Sequence, residues 1–165
     1  MSGAYTLMTN TFSHIPVDWV ILAALVIIFA VDSFRAGSGR VNALAISLPI
    51  ALLLVSLLPT ARVASSFATQ LSASAVQSVI FFVLASAAYF IARRLASHYG
   101  NNSGTFAVSV ISAVAVTIIV VVCWIQVPQL QAVWQFGAGV QAVFSEAYRF
   151  WWMLGSFLVL AVLNR

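Results

Sequence analysis

The sequence predicts an all-α protein, a polytopic membrane helical bundle of four transmembrane helices with a fifth, C-terminal membrane helix. Three observations lead there. Of the 165 residues, 63% are hydrophobic and 6% charged, with a mean hydropathy of +1.08, whereas soluble chains carry roughly 25% charged residues. Seven basic and three acidic side chains cannot clothe a water-facing surface, and the surplus would form contiguous apolar patches. The apolar residues also gather in runs close to the roughly 20 that a helix needs to cross hydrocarbon. Finally, the basic residues, all of them Arg, sit singly or in pairs between those runs. Despite a net charge of +4 and a pI near 10, that spacing is a topology signal and not a nucleic-acid-binding face, so nucleic acid is not expected as a partner.

The first helix is expected over about residues 15–34. Pro16 lacks an N–H, which is harmless in a first turn, Asp18 suits the positive end of the helix dipole, and Trp19 suits an interface. Asp32 and Arg35 close it. No Arg or Lys precedes Arg35, so the segment lacks the basic start of a cleavable signal peptide and should remain as a helix. A linker, Ala36-Gly37-Ser38-Gly39, leads to Arg40. The second helix is expected over residues 41–61, an uncharged stretch about 30 Å long as a helix. Pro49 should kink it, and Pro59 marks its end.

Residues 62–73, after Arg62, are more polar. Val63, Phe67 and Leu71 recur every fourth residue there, which fits a short surface helix or a plain loop. A third helix over 75–94 stops at Arg93 and Arg94, before a turn-rich segment from His98 to Gly104. The fourth covers 105–126. Its Val and Ile content favours strands in water, but the run is far longer than a typical strand of about 5 or 6 residues. Pro128 closes it, and Gln then alternates with Val, Trp and Phe as far as Gly139. The fifth helix is expected over 140–164, with Phe150, Trp151 and Trp152 beside Arg149 as a headgroup-level belt. Its uncharged part, residues 150–163, is short for a span, so the segment either starts earlier and tilts or lies at the interface.

The arginines orient the chain. Arg35 and Arg40 lie between helices one and two, and Arg93 and Arg94 between three and four, while the intervening connection holds only Arg62. The positive-inside rule then puts both Arg-bearing loops in the cytoplasm and the N-terminus outside. The first four helices read as two hairpins of the same orientation, with Gly37 and Gly39 in one turn and Gly100 and Gly104 in the other.

Few polar residues remain to carry chemistry. Asp32 stands three residues before Arg35, a spacing for a local ion pair that seats the helix end. Alternatively it belongs to a proton or cation path, which requires a polar neighbour such as Asn42, Ser47 or Gln77. Glu146 and Arg149 repeat the spacing. Ser109, Ala113 and Thr117 form a small-residue ridge suited to close helix packing, as do Ala88 and Ala92. Cys123 reads as a small buried hydrophobe. His14 and His98 are expected on opposite sides of the membrane, and no nucleophile elbow, acid–base pair or phosphate-binding loop occurs, so neither an enzyme nor a cofactor or metal is expected.

Asp18-Trp19 at the start of the first helix, then Phe34-Arg35-Ala36-Gly37 and Arg40 at its end, followed at once by a long second helix, resembles the colicin V production family of bacterial inner-membrane proteins. The likeness covers roughly the first 60 residues in motif and the next 65 in hydropathy. It implies a protein of the cytoplasmic membrane active in toxin export or envelope function, with Arg35, Gly37 and Arg40 as shared motif positions and no catalytic role for them. Two other readings stay open: an oligomeric channel or transporter protomer built around Asp32 and the Pro49 kink, and a structural subunit of a larger membrane complex. The expected partners are the lipid bilayer and either further copies of the chain or other membrane proteins.

Overall fold

The computed structural model describes residues 16–57, 74–96 and 105–163. Among them the fold is all-α, with seven helices: α1 (Val17–Ala36), α2 (Ser38–Leu57), α3 (Ser74–Ala96), α4 (Phe106–Gln126), α5 (Pro128–Val133), α6 (Ala138–Val143) and α7 (Glu146–Leu163). Five of these, α1 to α4 and α7, are long and apolar enough to cross a membrane, which fits a multi-pass membrane protein. Residues 62–73 with Arg62, the helix end expected at Pro59, the turn with His98, Gly100 and Gly104, and His14 all lie outside the described residues.

The expected four-residue linker between the first two helices shrinks to one residue. Gly37 is buried, with φ 81° and ψ 159°, a conformation essentially reserved to glycine, and α2 begins at the next residue. Polar Ser38, Gly39 and Arg40 thus form the first turn of a helix, because a single left-handed residue is enough to redirect the chain. Pro49 sits inside α2, which continues on both sides of it. At the other boundary Pro128 both follows α4 and opens α5, where its missing N–H belongs to a first turn that has no partner for it anyway.

α4 is the centre of the bundle. Eleven of its 21 residues are buried, and it packs against α1, α2 and α7, while α3 packs chiefly on α2. Val116 and Ile119 lie with Val41, Ala45 and Leu160 in one apolar cluster. Val121, Val122 and Ile125 join Leu22, Phe136, Val140 and Phe144 in a second. Outward faces are equally apolar: Ile27, Ile28, Val79, Phe90, Trp151 and Val162 are each at least 60% exposed. Such side chains need hydrocarbon around them.

The helix expected over 140–164 is broken. Phe144 ends α6, and α7 starts at Glu146, taking Arg149 into its first turns. Phe144 packs near the start of α1 and the end of α4, whereas Leu160 packs beside Val41 and Ala115 at the opposite end. α7 therefore runs antiparallel to α4 through the depth of the bundle, and its 18 residues give it a length of about 27 Å. It does not lie across the end of the bundle.

Candidate functional site

Among the described residues, the polar contacts and the apolar groove fall at two ends of the bundle and along one side of it. At one end meet the last turns of α1 and α3 and the first turns of α2 and α4. The Phe34 and Phe106 rings touch edge to face there, with centroids 6.5 Å apart. The Arg40 guanidinium contacts Asp32 Oδ1 at 3.1 Å, and the Tyr89 hydroxyl is a hydrogen-bonding partner of the same guanidinium. Asp32, Arg40 and Tyr89 thereby join α1, α2 and α3.

The expected Asp32–Arg35 pair is corrected by this geometry: the partner of Asp32 is Arg40. Gly37 folds the first turn of α2 back beside the last turn of α1, so a residue eight positions away reaches the carboxylate. Both side chains are well exposed, at 37% and 44%, so the pair contributes no more than about 1 kcal/mol. Arg35, Arg93 and Arg94 are exposed at this same end, which makes it strongly basic. Of the polar neighbours considered for Asp32, Gln77 is in the first turn of α3 at the far end, and Ser47 donates to the Leu44 carbonyl at 2.9 Å. Asn42 follows Arg40 by two residues. Below the pair Val41, Ala45, Val116 and Ile119 pack in one apolar cluster, and Ser33, Ser47, Ser109, Ser112 and Thr117 are buried on α1, α2 and α4.

The other end is closed by a cap made of α5, α6 and their connections. Val127 and Leu130 pack on Ala51 and Phe81, and Phe136, Val140 and Phe144 pack on Leu22 and α4. Irregular backbone in an apolar setting needs its carbonyls satisfied by protein, and side chains do this. Trp124 Nε1 donates to the Trp134 carbonyl at 3.0 Å, Gln141 Nε2 to Phe136 at 2.7 Å, and Trp152 Nε1 to Val143 at 2.9 Å. Gln131 Nε2 bonds the Ile125 carbonyl. Gln131 and Gln141 are therefore struts of the cap.

Asp18 has a larger part than a helix-dipole contact. Its Oδ2 accepts a hydrogen bond from the Gly137 N–H at 2.6 Å, across 119 residues of sequence, and the neighbouring Trp19 lies against Gly139. The start of α1 is thereby fastened to the cap. Arg149 departs from expectation too: its Nε donates to the Phe144 carbonyl at 3.1 Å, bridging the break between α6 and α7 instead of pairing with Glu146.

Between α4 and α7, roofed by α6, runs a lateral groove of about 780 Å³. Ile111 and Ile118 form one wall, and Tyr148, Trp152 and Gly155 the other, with Ser156 at the back. Ser156 is buried and its Oγ has no hydrogen-bond partner. On α4 itself the expected packing ridge is buried throughout, at Ser109, Ala113 and Thr117, and Thr117 Oγ1 donates to the Ala113 carbonyl at 2.8 Å. Cys123 is buried as well, as are Ala88 and Ala92 of α3.

Among the described residues no three His, Cys, Asp or Glu side chains approach one another closely enough to hold a metal ion. The arrangement binds and braces: ionic groups tie helix ends, amides and indoles tie the cap, and the groove offers apolar surface to whatever lies beside the bundle. Sequence reasoning missed Tyr89, the Asp18–Gly137 bond and the groove. The glycines at 137 and 139 were the available signal for a close approach, whereas nothing in the spacing marked Tyr89. No protein-family model, curated protein or solved structure matches the chain.

Proposed function

We propose that this chain is a multi-pass protein of the bacterial cytoplasmic membrane, with its N-terminus outside, that works as a membrane subunit or assembly factor in toxin export or envelope function. The observation that carries the reading is the distribution of surface. α4 alone is substantially enclosed, with 56% of its span buried, against 28% or less for each of the other four. Most of the apolar surface of the molecule therefore faces outward along the bundle, and binding to neighbours in the membrane is the activity such a surface supports. The orientation follows from the Arg35, Arg40, Arg93 and Arg94 end being the basic one. The assignment to toxin export or envelope function follows from the resemblance of the first hairpin to the colicin V production family.

The competing reading, a channel or transporter protomer, gives Asp32 a place on an ion path. Its exposed pairing with Arg40 at a helix end speaks for a seat and against a path. A strain lacking the gene should lose toxin export or envelope integrity, and Asp32→Asn should restore it as well as the unaltered gene does. A proton or ion flux carried by the purified protein in liposomes, and abolished by Asp32→Asn, would sink the subunit reading in favour of the channel.

A further inference from the structure

The basic end of the bundle carries three guanidinium groups around one bridge. Asp32 and Tyr89 hold Arg40 between α1 and α3. Each of these two residues has an arginine one turn beyond it on its own helix, Arg35 three positions after Asp32 and Arg93 four after Tyr89. At about 100° per residue, Arg35 stands within about 60° of Asp32 around α1, and Arg93 within about 40° of Tyr89 around α3. Long helical side chains lean toward the N-terminus of their helix, and on both helices that direction leads back to the residue that holds Arg40.

The charge at this end is not balanced from within. Among the described residues no ion pair engages Arg35 or Arg93, and Arg40, with Asp32 and Tyr89 as partners, still has N–H donors to spare. The other two carboxylates, Asp18 and Glu146, open α1 and α7 at the far end. The apolar spans of α1 and α3 end at Arg35 and Arg94, which sets these groups at headgroup level. Outward-facing rings border them: Phe34 and Phe90 are exposed, and Phe90 stands edge to face with Tyr89, centroids 6.0 Å apart. Positive charge and hydrocarbon-facing surface thus adjoin at one place.

We infer that this end binds the phosphate of one anionic phospholipid, of the phosphatidylglycerol class, among Arg35, Arg40 and Arg93, with the acyl chains beside the outward rings. Guanidinium is suited to phosphate oxygens because its donors can meet two of them at once. A zwitterionic headgroup is served less well, since its ammonium would need a carboxylate and the one at this end, Asp32, is already engaged by Arg40. A soluble phosphate would make no use of the adjoining apolar rings. The inference rests on the membrane placement of the five helices and not on the role in toxin export, so it stands or falls separately from that role.

The test uses the full chain, purified in an uncharged detergent and offered phosphatidylglycerol or phosphatidylcholine of matched acyl chains, with bound lipid counted by native mass spectrometry. One phosphatidylglycerol per chain should be retained in preference to phosphatidylcholine. Arg93→Gln should lower that retention roughly fivefold, the worth of one exposed ion pair, and Arg35→Gln should act alike. Arg94→Gln removes the same charge one residue on, about 140° around α3 from Tyr89, and should leave retention nearly unchanged. All three side chains are exposed, so the variants should fold. Gly39→Glu, at a site where an added Cβ meets nothing within 4 Å, sets a carboxylate next to Arg40 and should weaken retention more than Gly39→Gln does. Equal retention of the two lipids would overturn the inference. So would equal losses in Arg93→Gln and Arg94→Gln, which would mean diffuse attraction and no site, or full displacement of phosphatidylglycerol by inorganic phosphate, which would make the ligand a soluble anion.

Discussion

Gly37 shows how much a single residue decides in this fold. Its φ of 81° and ψ of 159° are strained for any residue with a side chain, so Gly37→Ala should cost about 1–3 kcal/mol, seen as a lower midpoint when the detergent-solubilised protein is unfolded by heat under circular dichroism. An unchanged midpoint would mean that the hairpin turns without a left-handed residue. Asp18 and Gly137 make a second test at this scale. A Cβ on Gly137 would stand 2.6 Å from Asp18 Oδ2, so Gly137→Ala breaks the same contact that Asp18→Ala removes, and each should cost about 1–3 kcal/mol. Because the two substitutions destroy one interaction, the double variant should be little worse than the more damaging single one, and full additivity would show that the bond contributes nothing. By contrast, the exposed Asp32–Arg40 pair should show a coupling below about 1 kcal/mol in the corresponding cycle.

At the scale of the element, α4 and the broken α6–α7 segment illustrate opposite rules. α4 is held by packing on several sides, so Ile119→Ala, at a site with 0% exposure, should cost about 2–5 kcal/mol through the cavity it leaves. Ile28→Ala on α1, at a site 60% exposed, should change the unfolding midpoint little, because lipid chains fill the space that the side chain vacates. Comparable losses at the two positions would contradict the central placement of α4. The α6–α7 segment is governed by hydrogen bonding. An unbroken helix from 140 would satisfy its own carbonyls, and the break at Phe144 is tolerated because Arg149 and Trp152 supply donors to Phe144 and Val143. Trp152 and Arg149, which read as part of an interfacial belt, are thus also the fasteners of an irregular turn, a double use that composition does not reveal.

For the whole molecule, the topology is the property most open to direct measurement. Cys123 is 2% exposed, so cysteines introduced elsewhere can be labelled without removing it. Gly39→Cys, with open space around the new Cβ, should react with a membrane-impermeant reagent from the cytoplasmic side, and Ala147→Cys, exposed at the opposite end, only from the outside. Reaction of both from one side would reverse the assignment of the two ends. The number of long helices, their approximate limits and the basic end were legible in the sequence, because immersion in lipid depends on how much apolar side chain a local window contains, and position 37 was legible as a turn for the same local reason. Which face each helix turns inward was not. In water a polar stripe marks the outer face, but in lipid both faces are apolar, and α1, α3 and α7 carry large hydrophobes all round. Tertiary structure alone chose Arg40 over Arg35 for Asp32, joined Asp18 to Gly137 across 119 residues, and opened the groove beside α4. Each of these depends on where distant segments are brought together by packing, and close packing is set by the shapes of several helices at once, which no single stretch of the chain encodes.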